Sequence, residues 1–370
     1  MRLLSSRHGV LQAAAALMGS LYGFDACPSH ATVTPVPSTS SLYAEVPLGL
    51  CGGAYCITYS IDGQRFRAVV DTGSPFLSVD GTCDVGQQGR WGCYYGDGAA
   101  ARLADSELSF AGQEVLVQWR RGDFELTLEP LSADGVHGPP PLRVPDATFG
   151  IVRGERSSFG SSAIFFGLVK ARGPRLGRLR TLLEQTDVQS VRFDFPKRTM
   201  LLAKAPLIDP QADALPIVDL RPRAPDLKYA CRVKRLLVNG REVRLDSPTV
   251  AIIDTGTTGL TLSQQLYDSR PELYAERAAA VRIELTTERG GVCVLEASVR
   301  RRRSAATGIP SVDVDLAAPE FDEFPLIVSP VPIRWGTGRA GTPFVLFVGL
   351  AFLWQRQITI DVDRLRLAVV

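Results

Sequence analysis

Two short stretches decide the fold: Val69-Val-Asp-Thr-Gly-Ser74 and Ile252-Ile-Asp-Thr-Gly-Thr-Thr258. Each is an apolar, β-branched run that ends on an aspartate, a threonine, a glycine and a hydroxyl residue. β-branched residues favour strands, and a glycine beside polar residues marks a turn. Each stretch therefore puts a carboxylate where a buried strand stops. One such tetrad is an ordinary Asx-turn. Two of them, with Asp71 and Asp254 set about half of a 370-residue chain apart, read as one unit used twice.

The flanks repeat as well. Tyr55 to Ile61, Asp62-Gly63 and the run from Phe66 precede the first tetrad. Cys231 to Val238, Asn239-Gly240 and the run from Val250 precede the second. Asx-Gly between alternating apolar runs is a strong hairpin signal. Further on, Phe193-Asp194-Phe195 with Leu201-Leu202-Ala203 echoes Ile360-Asp361-Val362 with Leu367-Ala368, so each half closes with a strand pair. Most of the remainder reads as short strands between turns drawn from 34 Gly and 25 Pro, which predicts an all-β protein. The clearest helix candidate runs from Leu176 to Gln185.

Composition narrows the chemistry. With 45% hydrophobic and 22% charged residues the chain is globular rather than disordered. Lys and Arg total 41 against 39 Asp and Glu, too balanced for a nucleic-acid groove. The histidines are His8, His30 and His137, and only the last lies in the body. A multi-histidine metal site cannot be built from one histidine, and a Ser-His-Asp enzyme would depend on His137. Carboxylates remain, and no cofactor is expected. The longest apolar run in the body, Phe344 to Trp354, is short of the ~20 residues of a membrane span.

If the two halves pack face to face, Asp71 and Asp254 meet. Gly73 and Gly256 permit close backbone approach. Ser74 and Thr257 can donate to the carboxylates, and Thr72 and Thr255 can bond across the pseudo-two-fold axis. Two touching carboxylates share a proton and titrate as a pair. One then serves as base toward water and the other as acid toward a carbonyl.

On these motifs the chain resembles the pepsin-like aspartic proteases over roughly residues 45–370. Tyr94-Tyr-Gly-Asp-Gly98, followed by Ala104 to Gly112, is similar to the family's β-hairpin flap, with Tyr95 as the flap tyrosine and Gly96, Asp97 and Gly98 at its substrate-binding tip. Leu346-Phe-Val-Gly-Leu-Ala-Phe352 is similar to the family's apolar-apolar-Gly loop, which would carry Gly349 past Asp254; its first-half counterpart is expected around Thr148-Phe-Gly150-Ile-Val152. Ser78 stands where the family commonly has a tryptophan, and Leu350 where it usually has a polar residue. The resemblance implies a bilobal fold, two pseudo-symmetric β-lobes with a central cleft above a shared sheet. It also implies an endopeptidase that binds a peptide or protein substrate, prefers apolar side chains and works at acidic pH. The rival expectation is a catalytically silent protein of this fold that binds a peptide or protein partner. A glycosidase with flanking carboxylates fits the symmetric tetrads less well.

The expected organisation is a leader at 1–31, a Pro/Ser/Thr-rich linker at 32–42, a first lobe with flap at 43–206 and a second lobe at 207–370, as a monomer by default. Arg2, Arg7 and His8 before the apolar stretch from Val10 to Phe24, with Ser29 and Ala31 after it, read as a secretory signal peptide; the acid-poor composition also suits an organelle transit peptide. The location is thus secreted or endomembrane lumen, or alternatively an organelle. Only about 20 residues separate leader and first strand, so no inhibitory prosegment of the usual kind is expected. Cleavage after Ala31 would leave Cys51, Cys56, Cys83, Cys93, Cys231 and Cys293, an even set that suits disulfides. Pairing is open, and neighbours (51–56, 83–93, 231–293) give the shortest loops. Arg300 to Arg303 reads as a solvated loop, Asp313 and Asp315 as the wet face of a strand, and Pro139 to Pro141 as a stiff loop. Trp91 could shape a pocket or pack beneath the flap.

Overall fold

Two-residue turns set the frame. Asp62-Gly63 and Asn239-Gly240 all have left-handed backbones, with φ of 50°, 75°, 52° and 78°. That is the type I′ geometry whose twist matches flanking strands. The first turn closes Tyr55–Ile61 onto Gln64–Asp71, and the second closes Ala230–Val238 onto Arg241–Glu242. The computed structural model describes residues 42–51, 53–81, 91–96, 102–110, 113–126, 142–153, 164–171, 179–221, 228–274, 277–298, 324–331 and 343–370. Among them the protein is nearly all β, in three sheets.

Two eight-stranded mixed sheets repeat one topology. In the first, Gln64–Asp71 runs parallel to Phe165–Gly167, and Ser78–Asp80 runs parallel to Leu142–Arg153. In the second, Thr249–Ile253 runs parallel to Phe344–Val348, and Leu260–Ser263 runs parallel to Val328–Val331. The strand before each tetrad and the strand after it thus each gain a parallel neighbour from later in the same half. Parallel strands are covered on both faces and read as continuous apolar runs. Accordingly Ala68 to Asp71 and Thr249 to Ile253 are buried without alternation.

The third sheet, of six strands, draws on both halves. The Ser190–Asp194 and Thr199–Ala203 hairpin pairs with the Gln357–Asp361 and Arg366–Val369 hairpin, from Ser190 opposite Asp361 to Asp194 opposite Gln357. Both hairpins turn through a left-handed residue, Arg198 and Leu365, each at φ 53°. Leu42–Pro47 and Leu215–Pro216 form its edges. One hydrophobic core unites Phe166 and Phe193 with Leu346 and Ile358, all essentially inaccessible. Removing such a phenylalanine side chain costs roughly 3–5 kcal/mol.

Three expectations change. Of the predicted helix, only Leu183–Gln185 is helical among the described residues, as a single 3-10 turn that buries Leu183. Cys51 and Cys56 are joined to each other, and Cys93 and Cys293 each belong to a disulfide, but Cys231 is a buried free thiol. Sheet order explains this: Ala280–Thr286 lies between the strands of Cys231 and Cys293, setting them about 10 Å apart, beyond disulfide reach. Burial pushes the Cys231 thiol up to about 12, so it packs as an apolar group. The third change concerns Gly150. It belongs to the long Leu142–Arg153 strand, opposite Ser78, and is not the counterpart of Gly349.

Candidate active site

Each aspartate arrives at the end of a strand buried on both faces, so the carboxylates are delivered into the interior rather than to a rim. Asp71 and Asp254 are only 5% and 7% exposed. They face each other across the axis, each lying against the other half's loop glycine. The glycines show how close the loops come. A Cβ on Gly73 would lie 2.7 Å from Asp254 Oδ2, and one on Gly256 would lie 2.6 Å from the Asp71 carboxyl. Each glycine is therefore the floor on which the opposite carboxylate rests.

The hydrogen bonds repeat across the axis. Gly73 N–H donates to Asp71 Oδ1 at 2.7 Å, and Gly256 N–H donates to Asp254 Oδ1 at 2.9 Å. The Ser74 hydroxyl donates to Asp71 Oδ2, and the Thr257 hydroxyl donates to Asp254 Oδ2 at 3.0 Å. Beneath them the threonines lock the halves together. Thr72 Oγ1 donates to the Ile253 carbonyl and accepts from Thr255 N–H, at 2.7 and 3.0 Å; Thr255 Oγ1 donates to the Val70 carbonyl and accepts from Thr72 N–H, at 2.7 and 3.1 Å. Both threonines are buried, so each hydroxyl satisfies groups that have no water to turn to.

A second pair of glycines braces the loops. Gly349 N–H donates to the Gly259 carbonyl at 2.8 Å, and Gly167 N–H donates to the Phe76 carbonyl at 3.1 Å, at equivalent places after Asp254 and Asp71. A Cβ at either would strike backbone, 2.2 Å from Thr257 O or 2.4 Å from Phe76 O. Gly167 is thus the true counterpart of Gly349. The sequence holds the signal, since Phe166-Gly167-Leu168 echoes Val348-Gly349-Leu350.

Electrostatics follow from this packing. Burial, and next the charge of Asp254, hold the Asp71 carboxyl well above the usual carboxylate range, while the Ser74 and Gly73 hydrogen bonds pull it partly back. Adding a second negative charge to the pair is costly, so the site favours a single shared proton over a wide pH range.

Of the expected flap tip, Tyr95 and Gly96 are among the described residues, and they stand away from the aspartates. Tyr94, not Tyr95, enters the core, packing on Phe66 and Phe149 and donating its hydroxyl to Asp62 at 3.0 Å. Tyr95 is 43% exposed, and its N–H donates to Gln64 Oε1 at 3.0 Å. Gln64 begins the strand that ends at Asp71, about 23 Å away at ~3.3 Å per residue. Gly96 goes with Tyr95, tucked against the Tyr94 ring. Arg102–Phe110 pairs with Gln113–Leu126. Asp97, Gly98, Cys27, Cys83, His137, Pro139 to Pro141, Arg300 to Arg303, Asp313, Asp315 and the leader lie outside the described residues. Trp91 packs against the main core.

The two departures from the family pattern have structural partners. Ser78 Oγ accepts from Phe165 N–H at 2.7 Å, fastening the strand that carries Gly167. The indole beside the first loop comes from Trp119, edge-on to Phe76 at 4.6 Å, with its N–H on Ser106 Oγ. Leu350 is buried, and its N–H donates to the Thr257 carbonyl at 2.9 Å. Among the described residues no three His, Cys, Asp or Glu side chains form a group that could hold a metal, and no helix is long and apolar enough to cross a membrane. No known family model matches the chain, and no curated protein is detectably similar to it in sequence.

Proposed function

We propose that this protein is an aspartic endopeptidase of the pepsin-like, bilobal kind, acting on an extended peptide bound between its two halves. The observation that carries the reading is the crosswise contact of the tetrads, in which each glycine abuts the other half's aspartate. That contact makes one acid from two residues. In the singly ionised pair the carboxylate takes a proton from a water as it attacks the scissile carbonyl, and the protonated partner gives its proton to the carbonyl oxygen. The tetrahedral diol then collapses. A proton passes to the leaving nitrogen, the C–N bond breaks, and the pair returns to one proton. Ser74, Thr257 and the two glycine N–H groups hold the oxygens in line throughout.

Such a pair requires one proton and one charge, which favours acidic conditions. The Cys51–Cys56 disulfide fits an oxidising compartment, and we read the protein as secreted or lumenal. The second reading, peptide binding without cleavage, is favoured by one observation, the position of Tyr95 beside Gln64. The test is digestion of an unstructured protein from pH 3 to 7 in ¹⁸O-water, about the range over which such pairs titrate. The proposal expects cleavage with one ¹⁸O in each new carboxyl terminus. A folded protein that cleaves nothing at any of these pH values supports the binding reading.

A further inference from the structure

Each half sends a segment across to the opposite tetrad. From the first half, Gly53 in the loop closed by Cys51–Cys56 offers its carbonyl to Thr258 Oγ1 at 2.9 Å. From the second half, residues 228 and 229 reach the first tetrad. The Lys228 ammonium donates to the Gly73 carbonyl, and the Tyr229 hydroxyl donates to the Leu168 carbonyl at 2.6 Å. Leu168 N–H in turn holds the Asp71 carbonyl at 2.9 Å. The backbone of the same dipeptide grips the other tetrad, since the Tyr229 carbonyl accepts from Ile253 N–H, next to Asp254, at 3.0 Å. Lys228 and Tyr229 therefore touch both active loops at once. The two crossings differ in charge: neutral at Thr258, cationic at Gly73.

We propose that Lys228 is a positioning residue of the carboxylate pair: its ammonium, anchored on the Gly73 carbonyl, holds the first loop and favours the singly ionised pair. This rests on the pair being the working site, but it does not require that the site cleave peptides. A fixed positive charge near a carboxylate favours its ionised form. The carboxylates are buried and the lysine half-buried, which makes the effect larger than between two exposed groups. The titratable groups at this point include Asp71 and Asp254 from the two tetrads, and Lys228 and Tyr229 from the crossing segment. Tyr229 is buried and its hydroxyl donates to Leu168, so the substitutions are made at Lys228.

The experiment follows the side-chain carboxyl ¹³C signals of Asp71 and Asp254 from pH 2 to 9 in the full chain, with Lys228→Met, Lys228→Gln and Lys228→Arg beside the wild type. Lys228→Gln keeps a donor without charge and covers the case in which Lys228→Met does not fold. The first ionisation of the pair should move up by about 0.5–1 pH unit in the neutral variants and stay near the wild-type value in Lys228→Arg. Where the wild type cleaves peptide, the acid limb of kcat/KM should move by the same amount with KM nearly constant. A first ionisation unchanged in a folded neutral variant overturns the proposal. A wild type that cleaves nothing but shows the shift refutes the protease reading and leaves the role of Lys228 standing.

Discussion

The two tetrad loops carry the same hydrogen bonds at their carboxylates and differ in what stands behind them. Behind Asp254, the parallel neighbour is the five-residue strand Phe344–Val348, which also pairs antiparallel with Leu260 to Leu262, and a helix, Leu350–Leu353, follows at once. Behind Asp71, the neighbour is the three-residue strand Phe165–Gly167, the antiparallel contact shrinks to one bridge between Leu77 and Phe166, and no helix follows among the described residues. The first loop makes up the difference with side chains: Ser78 Oγ on Phe165 N–H, Trp119 on Phe76, and Lys228 and Tyr229 from the other half. Backbone pairing fixes one aspartate, whereas borrowed side chains fix the other. The carboxylate geometry is what the two halves hold in common.

Substitutions at the glycines should break the symmetry most severely. In Gly256→Ala the new methyl meets the Asp71 carboxyl, and in Gly73→Ala it meets the Asp254 carboxyl. Both neighbours are the ends of flexible side chains, so the protein should fold while the carboxylate turns aside. Peptidase activity should fall about 100-fold, in line with the cost of ~1 Å of misplacement, with little loss of melting temperature. At Gly349 the neighbour is backbone, so Gly349→Ala should instead cost stability, roughly 1–3 kcal/mol in denaturant titration.

The crossed threonines come next. Thr72→Val and Thr255→Val each leave a buried carbonyl and a buried N–H unpaired, and each should cost about 2–4 kcal/mol by chemical denaturation. Because each hydroxyl accepts from the other threonine's N–H, the two positions are coupled, and the double variant should depart from the sum of the singles by about 1 kcal/mol.

A pH titration sharpens the comparison further. The Asp71 pKa is raised by folding, first by burial and then by Asp254. A raised pKa means that the folded state binds the proton more tightly than the unfolded one. Its contribution is fully present below the unfolded value near 3.8 and is lost as pH rises through the folded value. Asp71→Asn removes that loss. Its unfolding free energy relative to wild type, from denaturant titration, should therefore climb between about pH 4 and neutrality, by about 1.4 kcal/mol for each pH unit separating the two pKa values. Taking the difference also cancels carboxylates of opposite sign, such as Glu284, which Arg235 holds below its usual range.

The smallest effect belongs to a donor hydroxyl. Ser74→Ala removes a bond that pulls the Asp71 pKa down, so the second ionisation of the pair should rise, by about half a pH unit. Carboxyl ¹³C shifts read this directly.

Most of this frame is legible in the chain because it is local. Asp62-Gly63 and Asn239-Gly240 can hardly be anything but hairpin turns, and the apolar runs before Asp71 and Asp254 announce strands covered on both faces. What hid from the sequence depends on long-range packing. Gly167 sits on a strand of only three residues, too short for periodicity to show, and Thr148-Phe149-Gly150 offered a decoy. The choice between Tyr94 and Tyr95 is settled by Phe66 and Phe149, far apart in sequence. Cys231 is free because sheet order separates it from Cys293. Lys228 sits in no motif at all; only the crossing of the halves brings it to Gly73.

The central claim is that Asp71 and Asp254 act as a single unit, and its most direct test is kcat/KM for Asp71→Asn, Asp254→Asn and the double variant. All three would be assayed on one peptide at the wild-type optimum, with folding verified by circular dichroism. Each single substitution should cost at least about 1,000-fold, and the double should cost no more than either. A single variant that retains cleavage within about tenfold of wild type, or losses that multiply in the double, would mean that the two carboxylates work separately and that the pairing is structural.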